Sequence, residues 1–327
     1  MIPNIYAKPY YKYYLVLPAL LLVASALMVP GLKYGIDLKG GTRIVIPETT
    51  ATQDSIEQAL AAHSLEDLNV KLTTNPLNQK TGALVEYSGA ARLVEAEKLV
   101  STDPARAIEL ATPFLARNIS NATAAEIVGA AKSDFNERVR ADLAARLGLA
   151  TEGVSVQDIG AALGQQFWES SQRAVLVAIL LVIAIVFIYF RSVIPSLSVI
   201  QSVLFDVFVA LAGMAFFNIP LTLPTIAALL MIVGFSVDNN ILLTDLIIKR
   251  KDGLAADRAH DAFITGLTMT NTLLVVMLIV IAFSSFNQMT TLFQIAAVIL
   301  FGLVADQFAT WATNAVMVLW WMERRQH

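Results

Sequence analysis

Six apolar runs, each long enough to cross a lipid bilayer, constrain this chain more than any other feature of its sequence. A spanning helix needs about 20 mostly apolar residues. The first run covers residues 13–30 and carries no charge after Lys12. Between Lys33 and Arg173 charges then recur every few residues. Five further runs lie at about residues 174–190, 193–217, 223–248, 262–283 and 291–322. Apolar residues make up 56% of the chain, above the roughly 45–50% of soluble domains, and the excess sits in these runs. The expected fold class is an α-helical polytopic membrane protein with six transmembrane helices and one folded domain between the first and the second.

Lys and Arg collect in cytoplasmic loops, so their positions set the orientation. Lys8 and Lys12 precede the first span, and Arg191 separates the second from the third. Lys249, Arg250, Lys251 and Arg258 lie between the fourth and fifth, and Arg324 and Arg325 follow the sixth. With six spans all of these fall on one side. The expected organisation is a cytoplasmic N-terminus at 1–12, a transmembrane helix at 13–30, an extracytoplasmic domain at 31–172, helices two to six within 173–323 and a cytoplasmic C-terminus at 324–327. The protein is then a multi-pass protein of the cytoplasmic membrane. Tyr10, Tyr11, Tyr13 and Tyr14, with Trp168, Trp320 and Trp321, suit interfacial aromatic belts. A cleaved signal peptide ending near Ala24-Ser25-Ala26 is the competing reading of the first run. The apolar stretch continues through Leu27-Met28-Val29, which favours a span.

Composition excludes several function classes. The net charge of -3 gives no basic patch for a nucleic-acid partner. With no cysteine there is no disulfide or thiolate site. His63, His260 and His327 are scattered without metal-ligand spacing. No phosphate-loop pattern and no nucleophile–base motif occurs, so neither an enzyme nor a cofactor is expected.

The charged segment is long enough for one domain. Residues 42–47 are rich in β-branched side chains and read as a strand. Residues 52–62 read as a helix, 69–74 and 83–88 as strands joined by a Pro/Asn/Gly turn, and 90–150 as Ala-rich helix with breaks at 102–104 and 118–123. A short strand is expected at 154–156, and a helix after Asp158 runs on into the second span. The order βαββαβ is that of a ferredoxin-like split βαβ domain. Asn118-Ile119-Ser120 and Asn121-Ala122-Thr123 match a glycosylation acceptor pattern; a polar break between helices explains them equally.

Four carboxylates stand within the spans: Asp206, Asp238, Asp245 and Asp306. An Asp at a helix centre costs about 2.5–3.5 kcal/mol on translocon-derived scales. Residue counts place Asp206, Asp238 and Asp306 near the midplane, while Asp245 lies about 10 Å nearer the cytoplasm than Asp238. Asn239, Asn240, Thr244, Thr268, Thr270, Asn271, Thr272 and Gln307 add polar groups nearby. No Lys or Arg lies inside the apolar runs, and burial without a counter-charge favours the neutral carboxyl. Asp238, Asp206 and Asp306 are therefore candidates for a proton relay, with Asn239, Asn240, Thr270 and Asn271 as polar support. Hydrogen bonding between helices is the alternative role.

Three motifs carry a family resemblance. Tyr34-Gly35-Ile36-Asp37-Leu38-Lys39-Gly40-Gly41-Thr42 follows the first span. Its glycine pair permits backbone angles closed to other residues, and Asp37 and Lys39 are placed to pair or to bind backbone groups. This segment resembles the Gly-x-Asp-x-x-Gly-Gly hallmark of the SecD and SecF proteins. Residues 219–243, from Ile219-Pro220-Leu221-Thr222-Leu223 to Gly234-Phe235-Ser236-Val237-Asp238-Asn239-Asn240, are similar to the archaeal branch of SecF. So is Thr265-Gly266-Leu267-Thr268-Met269-Thr270, which opens the fifth span.

The resemblance implies an accessory subunit of the Sec protein-export channel, in the superfamily of proton-driven RND transporters. It implies a SecD-like partner, contact with the channel and with unfolded preproteins, and use of the proton gradient. It places the family's fourth-span Asp at Asp238 and a third-span Asp of the archaeal branch at Asp206. Two positions depart from the family pattern. No Arg opens the fifth span, and the archaeal Val-Asp-Thr-Asp is here Val237-Asp238-Asn239-Asn240. A self-contained RND-type transporter of small molecules and a non-motor scaffold for the channel remain alternatives, as do H⁺ and Na⁺ for the coupling ion.

Overall fold

The computed structural model describes residues 4–6, 9–74, 81–116, 119, 122–149, 154–249, 253–287 and 289–326. Asn118, Asn121, Arg250 and Lys251 fall outside them. The chain divides into two compact units. One comprises residues 1–33, 171–284 and 289–327; the other comprises 34–170 with 285–288.

Six helices are long and apolar enough to cross a membrane. The first, Tyr10–Gly31, contains α1 (Val16–Met28). Within the smaller unit follow α2 (Ile36–Lys39), β1 (Gly41–Thr49), α3 (Gln53–Leu60), β2 (Leu65–Glu66), β3 (Asn69–Thr74), β4 (Thr81–Tyr87) and β5 (Gly89–Ala90). After these come α4 (Ala91–Leu99), α5 (Pro104–Ala111), α6 (Ala124–Leu147) and β6 (Ser155–Ile159). The remaining spans are α7 (Ala161–Phe190), α8 (Val193–Phe216), α9 (Leu223–Lys249) and α10 (Ala255–Phe286). The last combines α11 (Thr290–Phe308), a π-helical turn at Ala309–Asn314 and α12 (Ala315–Gln326). The expected class, a mostly helical chain with six spans and one small mixed α/β region, is what the structure contains.

Two boundaries differ from expectation. The last strand is Ser155–Ile159 rather than 154–156, because pairing with β1 extends to Gly41↔Ile159. The fifth helix begins at Ala255, since charged Asp257, Arg258 and Asp261 form a polar first turn that hydropathy alone does not assign to a span.

In the α/β unit the four-stranded sheet has the order β3-β4-β1-β6, all antiparallel. With β2 and β5 set aside as a separate two-residue ladder, this is the split βαβ arrangement. Side chains alternate across a strand, and the register sets Thr42 opposite Tyr87, Ile44 opposite Val85 and Ile46 opposite Ala83. That face buries Ile44, Ile46, Val85 and Tyr87 against Ile56 and Leu60 of α3 and Phe135, Val139 and Leu143 of α6. The register slips between Ile46 and Thr49, where Pro47 cannot donate to the ladder. α6 starts with a Thr123/Glu126 capping box and ends on Gly148 in the left-handed region.

Among the spans, α8, α9 and the last are about half buried, while the first, α7 and α10 are largely exposed. Close approach depends on glycines, as small residues permit in membranes. A Cβ on Gly302 would lie 2.4 Å from Ile232 Cδ1, and one on Gly213 would lie 2.8 Å from the Phe301 ring.

Candidate functional site

The bundle interior holds a continuous polar cluster in otherwise apolar helices. Asp206 of α8 is fully buried, and its Oδ2 accepts from Ser236 Oγ of α9 at 2.5 Å. Its Oδ1 has no hydrogen-bond donor, and the Asp306 carboxyl of α11 lies close enough for the two to interact. Asp306 is 2% exposed and accepts from Asn239 Nδ2 at 2.6 Å and from Thr310 Oγ1 at 2.8 Å. Asn239 also donates to Thr270 Oγ1 of α10 at 3.2 Å. Spans three to six therefore meet at one carboxyl pair. No Lys or Arg contacts either carboxyl among the described residues.

The cluster extends toward Asn240. Its amide donates to Ser236 O at 2.8 Å and to Ser236 Oγ at 3.2 Å. Asn314 Nδ2 donates to Asn240 Oδ1 at 2.7 Å and to Thr244 Oγ1 at 3.2 Å, and Ser198 Oγ donates to Asn314 Oδ1. Ser202 Oγ donates to Ala309 O at 3.3 Å. In hydrocarbon an unpaired polar group costs several kcal/mol, and the donors and acceptors here answer one another across α8, α9 and the last span.

The structure brings together Asp206, Asp306, Asn239, Asn240 and Thr270. It does not bring Asp238 or Asn271 to them. Asp238 lies on an exposed face of α9, and Asn271 on an exposed face of α10. The cause is helix geometry: adjacent positions differ by about 100°, so Asn239 and Asn240 facing inward turn Asp238 outward. Asp245 is paired instead with Lys249 Nζ at 2.6 Å and Tyr189 OH at 3.1 Å, near the end of the span. Ser198, Ser202, Thr310 and Asn314 were not legible as members. The usable signal was Asn314, an amide deep in an apolar span; Ser and Thr are too common there to stand out.

The glycine motif is built differently from expectation. Asp37 and Lys39 do not pair with each other. Lys39 Nζ meets Asp67 Oδ2 at 2.8 Å instead, because Asp37 and Lys39, two residues apart on the short helix α2, point to opposite sides of it. The Lys39 ammonium, with Ser88 Oγ, holds the Asp67 carboxyl below the usual carboxylate range. Gly40 and Gly41 have φ of 78° and 143°, open only to glycine at low cost. A Cβ on Gly40 would lie 2.7 Å from Ala161 Cα, and one on Gly164 would lie 2.6 Å from Gly40 N. The motif thus packs backbone to backbone on the first turn of α7. Gly35 precedes α2 as its N-cap. Nearby, buried Lys132 of α6 meets Glu97 at 3.3 Å and Asp158 at 3.5 Å, and Glu97 accepts from Ala161 N at 2.6 Å. Gly164→Ala is expected to destabilise this unit by about 1–3 kcal/mol, as overpacking does. Gly129→Ala, on an exposed face of α6 with no atom within 4 Å of the added carbon, should raise stability slightly. Hydrogen exchange of the β1 amides in the two full-length variants checks both.

Fold and site together define a multi-pass membrane protein with a buried carboxyl pair and one small α/β domain. A family model described as protein export membrane protein SecD/SecF, C-terminal, matches residues 140–324, and one for the SecD/SecF GG motif matches residues 25–47. The chain is 32% identical over 298 residues to the protein-export membrane protein SecF of Methanopyrus kandleri, spanning 90% of this chain and 88% of that one. It is 31% identical to the SecF of Methanocaldococcus jannaschii, with 93% of each chain covered. The crystal structure of SecDF from Thermus thermophilus, a translocon-associated membrane protein, superposes with a TM-score of 0.64 at 18% identity. That match covers 99% of this chain and 40% of the longer one, and it speaks to fold alone. The chain belongs to the SecF branch of the SecD/SecF family of protein-export membrane proteins. The family is one of transport membrane proteins and not of enzymes.

Proposed function

We propose that this chain is an accessory subunit of the Sec translocase that assists preprotein export, driven by the proton gradient together with a SecD-like subunit. The observation that carries the reading is the Asp206–Asp306 pair. Two neighbouring carboxyls without a cation beside them share a proton more readily than they hold two charges. Such a pair, at mid-depth of the spans, is built to take up and release a proton, and intramembrane carboxyls mark ion pathways by default. Both termini are placed in the cytoplasm, because Lys12, Arg191, Lys249 and Arg324 fall on one side of six spans. The α/β unit then lies outside the cytoplasm, where an emerging preprotein would meet it.

Asp238 adds the partner. A carboxyl on an exposed face of a span is expensive against lipid, and α7 and α10 are also largely uncovered. A second six-span subunit packed on this face would shelter Asp238 from lipid. Purification of the tagged chain in mild detergent at native expression tests this. A SecD-like protein should come with it, with or without channel subunits. A homo-oligomer that reproducibly lacks such a partner would contradict the reading and favour an independent transporter.

A further inference from the structure

The last span is interrupted at the carboxyl cluster. Its π-helical turn, Ala309–Asn314, lies between Asp306 and α12, and such turns occur frequently at functional sites. A π turn displaces the i→i+4 ladder, leaving carbonyls open to other donors. Two hydroxyls use them here. Ser202 Oγ donates to Ala309 O at 3.3 Å, and Tyr6 OH donates to Trp311 O at 2.7 Å. The same turn carries Thr310, which donates to Asp306, and is closed by Asn314, which donates to Asn240.

Tyr6 comes from the segment before the first span, far from the site in sequence. It is 2% exposed, within a cluster of Leu243, Ile247, Ala259, Ala262, Trp311 and Val316. Burial holds its phenol above the usual tyrosine range, so it remains a donor. Its position is fixed independently: Asn4 Oδ1 accepts from Tyr6 N at 2.9 Å, and Asn4 Nδ2 donates to Asp257 Oδ1 at 2.9 Å. Trp311 is held from its other side, edge-on to Phe263 at 5.4 Å and against Gly266.

We propose that Tyr6 is a positioning residue of the intramembrane carboxyl site. Its hydroxyl, by holding the Trp311 carbonyl, keeps the π-helical turn in the setting that brings Thr310 to Asp306 and Asn314 to Asn240. Tyr6 touches neither carboxyl and acts through the turn. The inference rests on the proposal above in one respect, that Asp306 carries a proton.

The test uses the full chain in lipid nanodiscs, with infrared spectra of isotope-labelled aspartate. Loss of a band in Asp306→Asn identifies the protonated Asp306 carboxyl. Tyr6→Phe keeps the ring and its packing and removes only the hydroxyl. It should displace that band by more than its width, with no more than the modest drop in melting temperature that one lost buried hydrogen bond brings. Tyr11→Phe, which loses a hydrogen bond to Glu323 instead, should leave the band in place. An unmoved band in Tyr6→Phe overturns the inference, and so does an equal displacement in Tyr11→Phe. If Asp306→Asn removes no band, the proton reading of Asp306 fails separately. The side-chain amide resonance of Asn314 then decides: moved by Tyr6→Phe it supports the positioning role, and unmoved it defeats it.

Discussion

Asp306→Asn is expected to abolish the contribution of the proton gradient to preprotein export while leaving the bundle folded. An amide has nearly the shape of the carboxyl it replaces: its oxygen can still accept from Asn239, and its NH2 then faces Thr310 Oγ1, a hydroxyl that can turn to accept. What it would lose is the exchangeable proton that the proposed relay needs at this pair. The export rate in energised cells should therefore fall to the rate that wild-type cells show with an uncoupler. Pulse-chase measurement of preprotein processing reads this directly. A variant that exports at the wild-type rate and still responds to the gradient would remove Asp306 from the proton path. Asp306→Ala would be a poorer probe. It strands the Asn239 and Thr310 donors, and each unsatisfied buried group costs about 1–3 kcal/mol.

Gly266→Leu is expected to be the most disruptive single change in the bundle. The carbon that even alanine would add lies 2.3 Å from Trp311 Cζ2, well inside contact distance. Overpacking typically costs about 1–3 kcal/mol, occasionally more, and a branched side chain here exceeds what the indole can yield. Trp311 sits in the π-helical turn, so its displacement should also disturb the Asn314 and Thr310 contacts. Loss of monodisperse protein in detergent, or a lowered melting temperature, checks the first effect. Shrinking the opposing ring with Trp311→Phe should partly rescue Gly266→Ala. Absence of any rescue would mean that Gly266 is needed for something other than room.

Much of the fold was legible because its signals are strong and local. Bilayer thickness sets the span length, so six apolar runs became six helices, the second and fifth starting well before their apolar runs where polar turns precede them. The α/β unit followed from the β-branched residues of 42–47, from the Pro/Asn/Gly turn between the strands at 69–74 and 83–88 and from the breaks at 102–104 and 118–123 in an Ala-rich stretch. The site was legible as a list but not as an arrangement. Depth from residue counts put Asp206, Asp238 and Asp306 at one level, but depth carries no angular information in a helix that is apolar all round. Consequently Asp238 was not separable from its inward-facing neighbours Asn239 and Asn240. The π-helical turn was not legible either: Thr310, Thr313 and Asn314 make residues 309–314 more polar than their surroundings, but polarity does not distinguish a π turn from an α turn. Gly266 belonged to a visible motif, but its reason, the Trp311 ring from another helix, is a long-range contact. The Lys39–Asp67 pair was missed for the same cause, because Asp67 is brought close only by the turn between β2 and β3.

The central claim is that this chain couples the proton gradient to preprotein export, and one comparison tests it most directly. Export rates are measured in cells with the wild-type chain and in cells lacking it, each with and without an uncoupler. The account predicts faster export with the chain present and a difference that vanishes when the gradient is collapsed. A difference of the same size in de-energised cells would contradict it, leaving the chain as a scaffold whose buried carboxyls only hold helices together.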